Sequence, residues 1–349
     1  MKTLLPALLW LLSFVFLPGQ IAAPKPSAEP PSFFQSLQRD SILHLYLHTE
    51  LKALLRKRET YQPALLHFRD SSGQIQELEV EVRPRGKMRR DICFLPPLKL
   101  RLAKSDLRAR GLNPDFKTIK LVVSCRTAPS YQRLVLLEYL VYRMYNLVTD
   151  FSFRVQLVRI HLQDRGGDEK SFEVYGFLIE PAKELAHRLG GKELKPRVMS
   201  PRGLDTLSFD RLCLFQFMIG NTDWAVYNRH NLVVVRSPLR PLAIPVPYDF
   251  DYAGIIDAPY AAPHEKLPIK HVSQRYFLGL CRPESHWKPL FEEFRARQDD
   301  FREVIRRFPY LDDSAKKGPL RYLDDFFKLL GNDRRCRREI VEHCDTFIK

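Results

Sequence analysis

The chain has no Gly-x-Gly-x-x-Gly segment, so any phosphate site in it must be built from other parts. It has no Cys-x-x-Cys pair, which argues against structural zinc. His230, His264 and His271 show no His-x-x-His spacing, which disfavours a metal-dependent hydrolase and leaves them as ordinary surface or hydrogen-bonded histidines. No basic stripe interleaved with aromatics is present, so nucleic acid is not expected as a partner. Beyond the first two dozen residues there is no apolar run long enough to cross a bilayer, and no internal repeat.

What is present begins with Met1-Lys2-Thr3, an apolar stretch from Leu4 to Leu17, and small residues around Ile21-Ala22-Ala23. One positive charge, a short apolar core and small residues describe a secretory signal over residues 1–23, with an uncleaved anchor as the alternative. Residues 24–32 are Pro-rich and polar and read as a linker. The protein is therefore expected in the periplasm or outside the cell, with no stable membrane span once the signal is removed. The formal net charge of +15 attracts anionic partners such as a nucleotide, although most of the surplus reads as a solvated surface.

Six cysteines in an exported chain suggest disulfides. Cys93 and Cys125 flank two candidate strands and could bridge them. Cys336 and Cys344 lie eight apart on a candidate helix, about 12 Å along its axis and too far for a direct bond. Cys281 paired with one of those two is the better expectation, with Cys213 buried and reduced in an apolar helix.

Alternation of apolar and polar residues predicts strands over 42–47, 61–68, 75–82, 97–102, 117–124, 153–162 and 173–179. Leu134, Leu137, Val141 and Tyr145 at helical spacing predict a helix over 131–147, with Glu138 inside the apolar field. A further helix over 205–219, capped by Asp205 or Ser208, precedes short strands at 232–235 and 242–246, and the sequence is mostly helical from Trp287 onward. The composition changes near Glu180-Pro181. The expected class is α+β: an antiparallel-sheet lobe with one main helix over 33–180 and a mostly helical lobe over 181–349.

Two acidic clusters follow the second helix. One is Asn221-Thr222-Asp223 with His230-Asn231 opening an apolar strand; the other is Pro247-Tyr248-Asp249-Phe250-Asp251. An Asp after a buried helix, an Asn before a strand and an Asp after the next strand supply a base and hard oxygen ligands for a divalent cation, the arrangement phosphoryl transfer uses. Asp223 suits the base. Asn231 suits a metal ligand by its place before the strand, and Asn228 is its rival by its spacing from Asp223. Asp249 is the main carboxylate ligand, with Asp251 accessory. Lys99, flanked by Leu98 and Leu100, is the candidate cation for phosphates. Glu138 is its expected partner, because an acid in an apolar field needs one. Arg85-Gly86-Lys87 forms a basic turn before that strand.

These motifs resemble the bacterial spore-coat CotH family of atypical protein-kinase-like proteins. The likeness runs through Arg85-Gly86, Pro97-Leu98-Lys99-Leu100, Arg133 with Glu138, Tyr175-Gly176-Phe177-Leu178-Ile179-Glu180, Asn221-Thr222-Asp223, His230-Asn231 and Pro247-Tyr248-Asp249-Phe250-Asp251. It implies a two-lobed kinase-like fold and ATP-dependent phosphorylation of a protein hydroxyl with Mg²⁺ or Mn²⁺. Asp223 would be catalytic, Asn231 and Asp249 metal ligands, Lys99 on the phosphates and Glu180 at a hinge beside the adenine. Competing readings are a pseudokinase or binding module of an envelope assembly, and an enzyme that phosphorylates a glycan or transfers a nucleotidyl group.

Overall fold

A computed structural model describes residues 29–56, 59–86, 88–167 and 171–343, and from Pro31 onward these pack as one compact unit. The signal segment, most of the linker, Lys87 and Cys344 lie outside the described residues.

Seven strands form the first half: β1 Leu43–Thr49, β2 Gln62–Arg69, β3 Ile75–Pro84, β4 Leu98–Leu102, β5 Thr118–Val123, β6 Val155–Asp164 and β7 Phe172–Ile179. They close into a barrel in the order β1-β2-β3-β4-β5-β7-β6. Every pairing is antiparallel except the one that closes the ring, where β1 runs parallel to β6 with Leu43 opposite Val158. This overturns the expected two-lobed kinase-like fold with an antiparallel-sheet first lobe. The strands lie close to where alternation places them, but they form a closed, mixed barrel with helices scattered around it.

Closure follows from which faces are apolar. Leu43, Leu45 and Leu47 of β1, Leu98, Leu100 and Leu102 of β4, and Ile119, Leu121 and Val123 of β5 share one interior with the inward residues of the other strands. A sheet with such an inner face buries it by curling on itself, which also removes free edges. The outward residues Val122, Leu157, Phe177 and Ile179 belong to a second core instead. That core is built around the long helix Pro129–Val148 and the helix Thr206–Ile219. Gly176 allows the close approach of β7 to β5, since a Cβ there would lie 2.5 Å from the Val122 carbonyl oxygen. Cys93 and Cys125 form a disulfide that ties the approach to β4 to the end of β5.

The remaining elements hold the site. A three-stranded antiparallel sheet has the order β10-β9-β8, from Ile244–Pro247, Leu232–Arg236 and Lys192–Leu194. Helices Glu284–Ala296, Gln298–Arg306 and Asp313–Leu330 close the second core, and no helix or strand intervenes between Pro247 and Glu284. Cys213 and Cys336 are free and buried, and Cys281 is disulfide-bonded. Among the described residues no helix is long and apolar enough to cross a membrane.

Candidate functional site

The loop that presents Asp223 is fixed by the end of its helix. Asp205 caps the helix start by accepting from the Ser208 N–H at 3.0 Å. Gly220 ends it in the left-handed region at φ 68°, where a side chain would collide with the Tyr322 hydroxyl. Buried Asn221 then donates to Gln216 Oε1 at 3.1 Å and accepts the Asp223 N–H at 3.0 Å. The base candidate is thus held by an asparagine anchored in the core.

Asp223 and Asn231 are brought into direct contact. Asn231 Nδ2 donates to the Asp223 carbonyl oxygen at 2.8 Å and to Asp223 Oδ2 at 2.9 Å, and His230 Nε2 lies 2.8 Å from Asp223 Oδ1. The hydrogen bond to the Asp223 carboxylate, followed by its charge with that of Asp249, raises the His230 pKa against the effect of burial. Asn231 adopts φ 53° and Asp249 φ 65°, conformations that cost non-glycine residues energy although Asn and Asp tolerate them best. Two backbone bonds hold these conformations. Tyr248 N–H donates to the Asn231 carbonyl at 3.0 Å, and Asp249 N–H donates to the buried Tyr142 hydroxyl at 2.8 Å. Asn228 is exposed and accepts the His230 N–H at 3.0 Å, so it shapes the turn and does not bond to Asp223 or Asn231.

Asp249 stands out because its carboxylate makes no hydrogen bond or ion pair among the described residues, although it is half-buried. Its field reaches Lys120, Glu138, Asp251 and His230. The Asn231 amide oxygen is likewise unbonded among the described residues, since the amide nitrogen makes both contacts to Asp223. Two hard oxygen donors therefore stay open at the ends of β9 and β10, a donor set that suits magnesium or manganese. No group of three or more His, Cys, Asp or Glu side chains gathers to hold a metal among the described residues. A cation here would need the Asn231 amide and ligands from its substrate.

Lys99 does not pair with Glu138. Glu138 Oε2 accepts from Arg89 Nη1 at 3.1 Å, Arg89 Nη2 donates to the Val123 carbonyl at 3.0 Å, and Arg89 Nε lies 3.9 Å from Asp251 Oδ2. Arg89 sits on the short helix Met88–Ile92, and all three side chains are buried. Burial raises the Glu138 carboxyl to about 7 against the pull of Arg89. Burial, followed by the nearby Asp249 charge, pushes Asp251 well above the usual carboxylate range. Asp251 is thus engaged with Arg89.

Lys99 instead belongs to a row of cations on the outside of the barrel. It lies directly opposite Arg83 on β3 and Lys120 on β5. Like charges opposite one another oppose sheet pairing. Burial and then Arg83 and Arg85 lower the Lys99 ammonium. Burial, with Arg85 and Lys99, pulls Lys120 down to about 8 despite attraction from Asp249 and Glu193. Arg83 is paired with Glu59 at 3.1 Å, whereas Lys99 and Lys120 have no ion pair among the described residues. Lys120 Nζ rests 4.8 Å from the centre of the Tyr248 ring. Arg85 is tied to the start of β4 by its N–H to the Pro97 carbonyl at 2.8 Å, and its charge acts on Lys99, Lys120 and Glu138. Glu180 is spent elsewhere: both carboxylate oxygens accept from Arg188, at 2.8 and 2.9 Å, and one also takes the Arg154 N–H at 3.0 Å.

Sequence reasoning missed Lys120, Arg89 and Tyr142. Lys120 had a visible signal, a lone cation between Ile119 and Leu121 in an apolar strand, the same pattern that singled out Lys99. Arg89 had none. In comparisons with known proteins, no family model matches the chain and no curated protein matches it.

Proposed function

We propose that this protein is an exported, metal-dependent phosphotransferase that moves the γ-phosphoryl group of ATP to an acceptor hydroxyl. The observation that carries the reading is the pairing of open ends. The unbonded Asp249 carboxylate lies in the field of Lys120, the Asn231 amide oxygen is open beside Asp223, and neither Lys120 nor its neighbour Lys99 has an ion pair among the described residues. A metal–triphosphate complex offers the cation that Asp249 and Asn231 lack and the anion that the two lysines lack. The likeness of Asn221-Thr222-Asp223, His230-Asn231 and Pro247-Tyr248-Asp249-Phe250-Asp251 to the CotH site motifs supports it further. That support is limited to the motifs, because the barrel does not have the fold that the likeness implied. The Cys93–Cys125 disulfide supports export to an oxidising compartment.

In this reading Asp249 and Asn231 hold Mg²⁺ or Mn²⁺, which when bound neutralises charge on the phosphates. Lys120 and Lys99 bind phosphate oxygens, with Arg85 adding to the field. Asp223 takes the acceptor proton, and His230 and Asn231 fix its carboxylate through their contacts at 2.8 and 2.9 Å. Arg89 keeps Glu138 and Asp251 from crowding the site with unpaired charge.

Thermal shift tests the nucleotide site. At one hundred times its dissociation constant, a ligand adds about 2.7 kcal/mol of apparent stability. ATP with Mg²⁺ should raise the melting temperature of the wild type, neither component alone should match it, and Asp249→Ala should abolish the difference. Equal shifts in wild type and mutant, or none in either, would refute the proposal.

A further inference from the structure

A cavity of about 490 Å³ opens beside Asp223, within the size range of small-molecule sites. Its polar lining includes Asp223, Asn228, His230 and His264, and its apolar lining includes Trp224, Tyr252, Leu267 and Leu278. None of the residues around it belongs to a strand or helix; they come from the loops around 222–230 and 252–278. Extended peptides bind by adding to a strand edge, and helical ones by lying in a groove. The cavity offers neither. Trp224 in the wall is buried, and its indole N–H has no hydrogen-bond partner among the described residues.

Aromatic rings beside carboxylate, amide and imidazole groups match a saccharide. Its C–H faces pack on rings while its hydroxyls exchange hydrogen bonds with the polar lining. The Asp223 carboxylate in the lining favours a neutral sugar over an anionic one.

We propose that this cavity is the acceptor subsite and takes a neutral sugar residue with one hydroxyl turned to Asp223. The inference rests on the phosphotransfer reading above and replaces its unspecified acceptor. The sugar oxygen bonds to the γ-phosphorus of ATP. The bond from that phosphorus to the bridging oxygen breaks, ADP leaves with the electron pair, and the hydroxyl proton passes to the Asp223 carboxylate.

Saturation-transfer NMR with glucose, galactose, mannose and N-acetylglucosamine tests the cavity, and ADP release with the same sugars or a Ser/Thr peptide mixture tests the transfer. Ala262 is exposed at the cavity, so Ala262→Phe fills it from the surface without disturbing the core. At least one sugar should receive saturation from the wild type and raise ADP release tenfold or more. Ala262→Phe should lose both while keeping the wild-type melting shift with ATP and Mg²⁺. Stimulation by peptides but not sugars, sugar saturation unchanged in Ala262→Phe, or no saturation of any sugar would overturn the inference. Sugar saturation lost in Ala262→Phe, with no ATP shift in the wild type, would uphold the sugar site and remove the phosphotransfer reading instead.

Discussion

Replacing Arg89 by methionine removes the one cation shared by Glu138 and Asp251 while keeping most of the side-chain volume. Glu138 is 1% exposed and Asp251 5%, so neither carboxylate can turn to solvent. Breaking a buried ion pair from one side costs about 3–5 kcal/mol, and the upper half applies because the Val123 carbonyl also loses its donor at 3.0 Å. The loss has a ceiling, since a stranded carboxyl can take up a proton. Burial already holds Glu138 at about 7 beside Arg89, so at pH 5 it is protonated with or without the arginine, and the loss there comes from the broken hydrogen bonds alone. The variant should therefore lose about 4 kcal/mol at pH 7.5, and about 1–2 kcal/mol at pH 5.

Thermal melts followed by circular dichroism give the readout, with a fall of about 6–10 °C at pH 7.5 for a domain of this size. Adding Glu138→Gln to Arg89→Met should recover at least about 1 kcal/mol, because one of the two stranded charges is gone. A loss below about 1 kcal/mol at pH 7.5, an equal loss at pH 5, or no recovery in the double variant would refute this account of the buried cluster.

The other predictions concern single groups. Burial raises buried Glu184 to about 7 despite the hydrogen bond from the Ser32 hydroxyl at 2.6 Å. The folded protein then holds a proton that the unfolded chain releases, so this group's contribution falls as pH rises from about 4.5 to about 7. Glu184→Gln should raise the melting temperature at pH 8 and change it little at pH 4.5; an equal effect at both would refute the reasoning. Cys93→Ser with Cys125→Ser opens a loop with a sequence separation of 32 and should cost about 3–4 kcal/mol in urea unfolding; unchanged stability would refute the bridge's role. Lys120→Gln should stabilise the free protein by about 1 kcal/mol or more, because a half-buried cation with a depressed pKa is removed, yet weaken ATP binding at least about tenfold in titration calorimetry. Lys99→Gln should do the same more weakly, and ATP binding unchanged in Lys120→Gln would remove the lysine from the site.

Local signals explain how much could be read beforehand. Strands β1 to β7 and the long helix fall within a few residues of where alternation and helical spacing put them, because one face of each is buried. Closure of the barrel was not legible. It depends on Leu43 to Thr49 pairing in parallel with Val158 to Asp164, and on β7 entering between β5 and β6, and neither pairing leaves a local mark. Asp223 and Asn231 were assigned to one site, but their direct contact was not foreseen; a helix end, a bridge from Ala225 to His230 and a short strand bring them together within ten residues. Glu138 was rightly expected to need a partner, but proximity in pattern pointed to Lys99. The true partner, Arg89, lies on a five-residue helix with no periodic signal.

That several candidate groups stand at a cost is itself informative. The left-handed backbones of Asn231 and Asp249, the opposed lysines of β4 and β5 and the carboxyls of Glu138 and Asp251 all work against folding. A surface shaped only for stability would exchange Lys120 for a β-branched residue and Asn231 for glycine, with no loss of core packing. The adverse terms are also of opposite sign across a short gap: excess positive charge on the barrel wall and excess negative charge at the ends of β9 and β10. Direct Lys120–Asp249 pairing would relieve both, yet those charges sense each other without closing to an ion pair. A separation held open against that attraction, by the Tyr142 bond to the Asp249 backbone and the Tyr248 ring under Lys120, leaves room for a ligand that carries both charges. Freeing the Asp249 backbone with Tyr142→Phe should therefore let the gap collapse and weaken ATP binding without removing any group that touches the nucleotide.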